Sequence, residues 1–266
     1  MIRSFAFAGV SVLLLLGCEK KGDTPSLAPS ASALAPSTAA PSAKVVKFTI
    51  DPKGKTTIDM EAPKEHIKAA TEGAMGTVEV DLMNLANTRG EVKVDLSSLK
   101  TSTFNDPSKD TAQTGHALTW LEVADGADGK LPDEVKAQNR YAVFAIRSID
   151  ALSASDVSKI AAVKSPTGDD IRSVTATAHG DFLLHGHKVD KELPLEVAFH
   201  YPAGASPTSN PTQIDITTKS PFKVVLAEHD VKPRDSFGKI AKGAFNLLGT
   251  KVAETATITM EMHGRL

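Results

Sequence analysis

Few residues of this 266-residue chain are of a type and spacing that could do chemistry. His185-Gly186-His187 is the most conspicuous set. Two imidazoles two residues apart share a face on a strand, and neutral imidazole is a common metal ligand. Gly186 reads as a turn, however, and no third ligand stands nearby, so no metal site is expected. Arg234-Asp235 can form an ion pair of small energetic value or meet a ligand's head group. His116 and His179 are candidates for the same contact, with nothing in the sequence to place them. The signatures of covalent and nucleotide chemistry are absent: no Gly-x-Ser-x-Gly, no His-Glu-x-x-His, no Walker loop and no dinucleotide fingerprint. Acidic residues scattered along alternating segments fit a solvated face. Neither catalytic residues nor a cofactor are expected.

The chain has one cysteine, Cys18, which excludes an internal disulfide and a multi-cysteine metal centre. Cys18 stands just beyond the apolar run from Phe5 to Leu16, which Arg3 precedes. That run is shorter than the roughly 20 residues a spanning helix needs and has the layout of a secretory signal. Leu15-Leu16-Gly17-Cys18 resembles the bacterial lipobox. The resemblance implies that residues 1–17 are a signal peptide and that the Cys18 sulfur is the lipid-attachment point. Each buried acyl methylene contributes about 0.8 kcal/mol, so Cys18 is expected to hold the protein on a membrane of the bacterial envelope. Glu19, rather than Asp, follows it, which tilts the expectation toward the outer membrane, facing the periplasm. Residues 18–43 are then a lipidated tether. From Thr24 to Ala43 they are Ala, Ser, Pro and Thr apart from Leu27 and Leu34. Such a segment buries too little surface to offset its ordering entropy, and disorder is expected.

The elements that must position any site lie in residues 44–266. Their dominant pattern is alternation of period two, as in Val78-Glu79-Val80-Asp81-Leu82 and Val92-Lys93-Val94-Asp95-Leu96. Leu193 to Phe199, Phe222 to Leu226 and Ile258 to Met262 alternate similarly. Less strict strands are expected at Val45–Ile50, Thr57–Met60, Tyr141–Ile149, Ser173–Leu184 and Gln213–Thr218, giving about ten. One wet and one dry face per strand means antiparallel sheet. A barrel of about eight strands or a two-layer sandwich would satisfy the pattern, and the barrel leaves room for a filled core or one ligand. Helical signals are few: a turn or two in Ser155–Val163 after an N-cap serine, Asn105–Leu118 starting at Asp106-Pro107, and an amphipathic Asp235–Leu248. Ala124–Gly129 reads as a loop. A formal charge of −2 and 5% aromatic residues argue against nucleic acid as the partner.

In order along the chain, several segments resemble the YceI-like family. Phe48-Thr49-Ile50-Asp51-Pro52 is similar to its opening strand, and Leu96-Ser97-Ser98-Leu99-Lys100-Thr101 to its Ser-Leu-x-Thr signature. Arg140-Tyr141-Ala142-Val143-Phe144 stands at the place of a further strand motif. Gly180 to Gly186, followed by Leu193-Pro194-Leu195, resembles the family's hairpin. Arg234-Asp235-Ser236-Phe237-Gly238 resembles its Arg-x-x-Phe-Gly motif. The resemblance implies an all-β fold: an extended antiparallel lipocalin-like barrel with a few short helices, whose interior binds a long polyisoprenoid such as a quinone tail or isoprenyl phosphate. It also implies a homodimer as an assembly to test for. A barrel filled with its own side chains, serving a structural or partner-binding role, is the alternative. On the lipid reading the ligand-binding candidates are the dry-face residues Val78, Val80, Val92 and Val94, then Phe144, Ile146, Leu195, Val197 and Phe199. Phe222, Val224, Ile258 and Met260 complete them, with Arg234 and Asp235 for a head group.

Overall fold

The computed structural model describes residues 44–63, 65–126, 129–206, 208–232 and 253–266. The expected signal peptide, Cys18, the tether, Arg234, Asp235 and the Asp235–Leu248 segment lie outside the described residues.

Among the described residues, thirteen strands form one sheet. They are β1 (Val45–Ile50), β2 (Lys55–Ala62), β3 (Glu65–Thr71), β4 (Ala74–Asp81), β5 (Arg89–Asp95), β6 (Lys100–Thr101), β7 (Tyr141–Asp150), β8 (Val163–Lys164), β9 (Asp170–Leu184), β10 (His187–Tyr201), β11 (Gln213–Thr218), β12 (Phe222–Val225) and β13 (Thr255–Arg265). Two α-helices, α1 (Pro107–Trp120) and α2 (Asp133–Asn139), fall between β6 and β7. Neighbours run in the order β1-β4-β5-β7-β9-β10-β11-β13, and β13 returns to β1 through Thr49 opposite Arg265 and Ile50 opposite Gly264. The ring is therefore closed, a lipocalin-like antiparallel barrel without the free edges of an open sheet. β2, β3, β6 and β12 lengthen it at one end, where β2 and β12 flank the first half of β13.

Alternation fixes what faces inward. In β1 Val46, Phe48 and Ile50 are buried while the residues between them are exposed. Phe48 lies opposite Val78, Val92 opposite Phe144 and Phe144 opposite Phe182, so each cross-strand pair keeps the apolar set inside. At Gly180 the strands approach so closely that an added Cβ would lie 2.3 Å from the Ala145 carbonyl oxygen and 2.7 Å from the Phe144 ring.

The inward side chains divide into two clusters along the barrel. One holds Phe48, Val80, Phe199, Tyr201 and Ile214 with Leu85 and Val157 from the connecting loops. The other holds Leu96, Leu99, Leu121, Phe182, Leu193, Phe222 and Ile258. Lys44, where the described chain begins, is at the first end and donates from Nζ to the Thr208 and Ser209 carbonyls.

The helix α2 and the short strands β6 and β8 add to the elements expected from sequence, and two further differences have a local cause. β3 was not expected, because its inward residues are Ile67, Ala69 and Thr71, too small and polar a set to show alternation. The turn near residue 157 is a short 3-10 helix, Val157–Lys159, capped by Asp156 rather than by Ser155; the Asp156 carboxylate accepts from the Ser158 N–H at 2.9 Å. α1 begins as expected, with Asp106 accepting from the Ser108 and Lys109 N–H groups and Pro107 in the first turn.

Candidate ligand cavity

At the end of the barrel built by the second cluster, the inward side chains do not meet. They border a cavity of about 200 Å³ whose lining, among the described residues, contains no charged side chain. Its wall is Val78, Val92, Val94, Phe144, Ile146, Phe182, Leu195, Phe222, Val224, Ile258 and Met260, among others. Its roof is Leu96 and Leu99, from the turn between β5 and β6, with Ala117 and Trp120 from α1 and Leu121, which caps that helix. Leu226, Val231 and Ala253 line it beside the undescribed residues 233–252.

Ten of the thirteen interior candidates therefore line the cavity: Val78, Val92, Val94, Phe144, Ile146, Leu195, Phe222, Val224, Ile258 and Met260. Val80, Val197 and Phe199 do not. Val80 and Phe199 are buried in the filled end, and Val197 packs, partly buried, against both clusters. All three face inward as their alternation requires, but at a level where the interior is occupied by side chains. Arg234 and Asp235, the head-group candidates, lie outside the described residues. The roof residues went unassigned by sequence, although Ala117, Trp120 and Leu121 carry the i, i+3, i+4 spacing of a buried helix face.

Polar bonds hold the roof. The Asp95 carboxylate at the end of β5 accepts from Arg140 Nε at 3.0 Å and Nη2 at 2.6 Å, and from the Ser97 N–H and O–H at 3.0 and 2.6 Å. Burial alone would raise this carboxyl, but the bonds from Arg140 and Ser97 outweigh it and hold Asp95 below the ordinary carboxylate range. Thr71 donates from Oγ1 to the Asp95 carbonyl at 2.7 Å. The Thr101 N–H donates to Thr114 Oγ1 at 2.9 Å, fastening α1 to β6.

A histidine-rich cluster sits against the same end. His185 and Gly186, with φ of 51° and 76°, form the two-residue turn between β9 and β10, the left-handed backbone such a hairpin requires. His185 is buried; its Nδ1–H donates to the His229 carbonyl at 3.1 Å, and its Nε2 is 2.7 Å from Glu122 Oε2. The His187 ring stacks on it with centroids 6.4 Å apart. His229, fully buried, donates from Nδ1 to the His187 carbonyl. Burial holds His229 below the ordinary histidine range, against the opposing pull of the His187 and Leu184 carbonyls. His116 is exposed on α1, and His179 pairs with Asp150 at 2.9 Å, so neither reaches the cavity lining.

No family model matches the sequence, and no curated protein matches it. Among solved structures, a polyisoprenoid-binding domain from Saccharophagus degradans implicated in plant cell wall breakdown is similar over 82% of this chain and 97% of that one. Its identity is 13% and the TM-score 0.48. BcnA of Burkholderia cenocepacia is similar over 79% of this chain and 95% of its own, at 11% identity and a TM-score of 0.46.

Proposed function

We propose that this protein is a non-enzymatic envelope lipoprotein whose barrel binds, and carries or sequesters, a long-chain polyisoprenoid. The supporting observation is the apolar cavity, whose described lining is aliphatic and aromatic apart from two threonines and carries no charged side chain. Its volume of about 200 Å³ exceeds the roughly 150 Å³ that suffices for benzene in an engineered apolar cavity. A slender methyl-branched hydrocarbon suits such a space, since affinity then comes from apolar area removed from water, about 25 cal/mol per Å² before association costs. The part of a long chain that exceeds the enclosed volume would leave through the roofed end. Sequence motifs similar to those of YceI-like proteins support the ligand class.

In this reading Cys18 carries the lipid anchor and residues 18–43 the tether. Lys44, where the described chain begins, is on the filled end, so a tether over residues 18–43 would join the domain there, opposite the cavity. Purification from the native envelope, organic extraction and mass spectrometry test the proposal, with wild type and Cys18→Ala compared. The expected result is a co-purifying isoprenoid in wild type and release of Cys18→Ala from membranes into the soluble fraction. Extracts without isoprenoid would overturn the ligand, and continued tight attachment of Cys18→Ala would overturn the anchor.

A further inference from the structure

The geometry points to a divalent transition-metal site, of the zinc class, formed by His185, His187 and Asp230 at the roofed end of the barrel. One ligand atom from each of the three lies within 4.8 Å of the others. Sequence spacing alone offers no third ligand for the His185-Gly186-His187 pair. Folding supplies one from the short 3-10 helix Leu226–His229, whose last residue is followed by Asp230 in a left-handed conformation.

His185 has the hydrogen bonding of a metal-ligating imidazole. Its Nδ1–H is given to the His229 carbonyl, which fixes the tautomer and leaves a lone pair on Nε2. That Nε2 is 2.7 Å from Glu122 Oε2. Two acceptors do not approach so closely without a second proton or a cation to share. Glu122 is also poorly suited to its own position. It closes α1 at φ 54°, where glycine is favoured, and it sets a carboxylate at a helix C-terminus, where the dipole disfavours negative charge. Of five non-glycine residues with positive φ among those described, Glu122, His185 and Asp230 are three, and they meet here. Left-handed backbone of this kind costs free energy and collects at ligand clamps.

Imidazole nitrogen and carboxylate oxygen are the donors zinc takes, at about 2.0–2.2 Å. Reaching that distance requires the three ligand atoms to close in, which the exposed His187 and half-buried Asp230 side chains can do by rotation. Lys232, paired with Asp230, is the cation already competing for that carboxylate. A second cluster, Asp59, Glu61 and His66, lies on the exposed β2–β3 hairpin, where the His66 nitrogens face the two carboxylates and not a buried carbonyl; it serves as the control.

The site does not depend on the cavity holding a lipid. Its test is titration of the chelator-treated full-length chain with Zn²⁺ by calorimetry, and with Co²⁺ by visible absorption. His187→Ala, Asp230→Asn and His66→Ala are compared with wild type, each shown to melt like wild type without metal; His187→Gln replaces any His187→Ala protein that does not. Cys18 is common to all of them. One Zn²⁺ per chain is expected, with visible cobalt bands, weakened at least about tenfold in both the His187 and Asp230 variants and unchanged in His66→Ala. No stoichiometric binding by wild type overturns the site. So does wild-type affinity in either the His187 or the Asp230 variant, or an equal loss in His66→Ala.

Discussion

The two ends of this barrel are built from the same alternating strands and closed in opposite ways. At one end Phe48, Phe199, Tyr201 and Ile214, each at most 2% exposed, fill the interior. Arg172 lies over the Tyr201 ring at 5.0 Å and donates to the Val157 and Ser158 carbonyls. At the other end the interior is left open, and a helix and a turn are laid across it and held by Asp95, Thr71 and Thr101. A packed plug cannot open without losing its core. A roof fastened by polar bonds near the surface belongs to the class of elements that open at low free energy, because water can replace those bonds. The difference assigns rigidity to the end where Lys44 sits and access to the opposite end.

The largest test of this contrast is a matched pair of aromatic deletions. Phe199→Ala in the filled end should lower the unfolding free energy by about 3–5 kcal/mol. Phe222→Ala, on the cavity wall, should cost clearly less, about 2–3 kcal/mol, since one side of that ring already lacks partner atoms. Urea unfolding of the two variants measures both. Equal losses would mean that the cavity end is as tightly packed as the other, and the contrast would fail.

The reverse substitutions have smaller effects and a different readout. Val80→Phe overpacks the filled end and should destabilise by about 1–3 kcal/mol. Ala142→Phe places the same ring into open space, with a cost below about 1 kcal/mol. It should nevertheless weaken binding of a fluorescent isoprenoid analogue at least about tenfold, because the added ring takes the volume the chain would use. Unaltered binding by a well-folded Ala142→Phe protein would move the ligand out of this cavity.

Sequence alternation located the inward face almost everywhere, since the period of two is a local property of each strand. It could not say at what height along the barrel a residue sits, which is why Val80, Val197 and Phe199 were grouped with residues that line the cavity. Height depends on register and on what the loops insert, and Leu85 and Val157, which help fill the closed end, come from connections rather than strands. The roof was half legible: Asp106-Pro107 announced α1, but nothing local said that its Trp120 face would cover a barrel mouth. The meeting of Glu122, His185 and Asp230 was not legible at all. Glu122 and His185 are 63 positions apart, and the folded chain brings the end of α1 against the turn between β9 and β10.

The smallest effect concerns the roof's fastening and its pH dependence. The folded-state pKa of Asp95 is held below its ordinary value of 3.8 by Arg140 and Ser97 acting against burial. A group depressed in this way contributes stability that is fully present above the unfolded-state pKa and is lost as the pH falls through the folded-state one. Asp95→Asn should therefore be less stable than wild type at pH 7, by less than either aromatic deletion, because Arg140 is half exposed and water screens the pair. As the pH is lowered below about 4 the two proteins should converge, since wild type then protonates the carboxylate that the variant lacks. Hydrogen exchange at pH 7 adds the spatial part. Protection should fall in α1 and in the turn between β5 and β6 while the amides around Phe48 and Phe199 keep theirs. A loss spread evenly over both ends would show that Asp95 supports the whole barrel rather than fastening its roof.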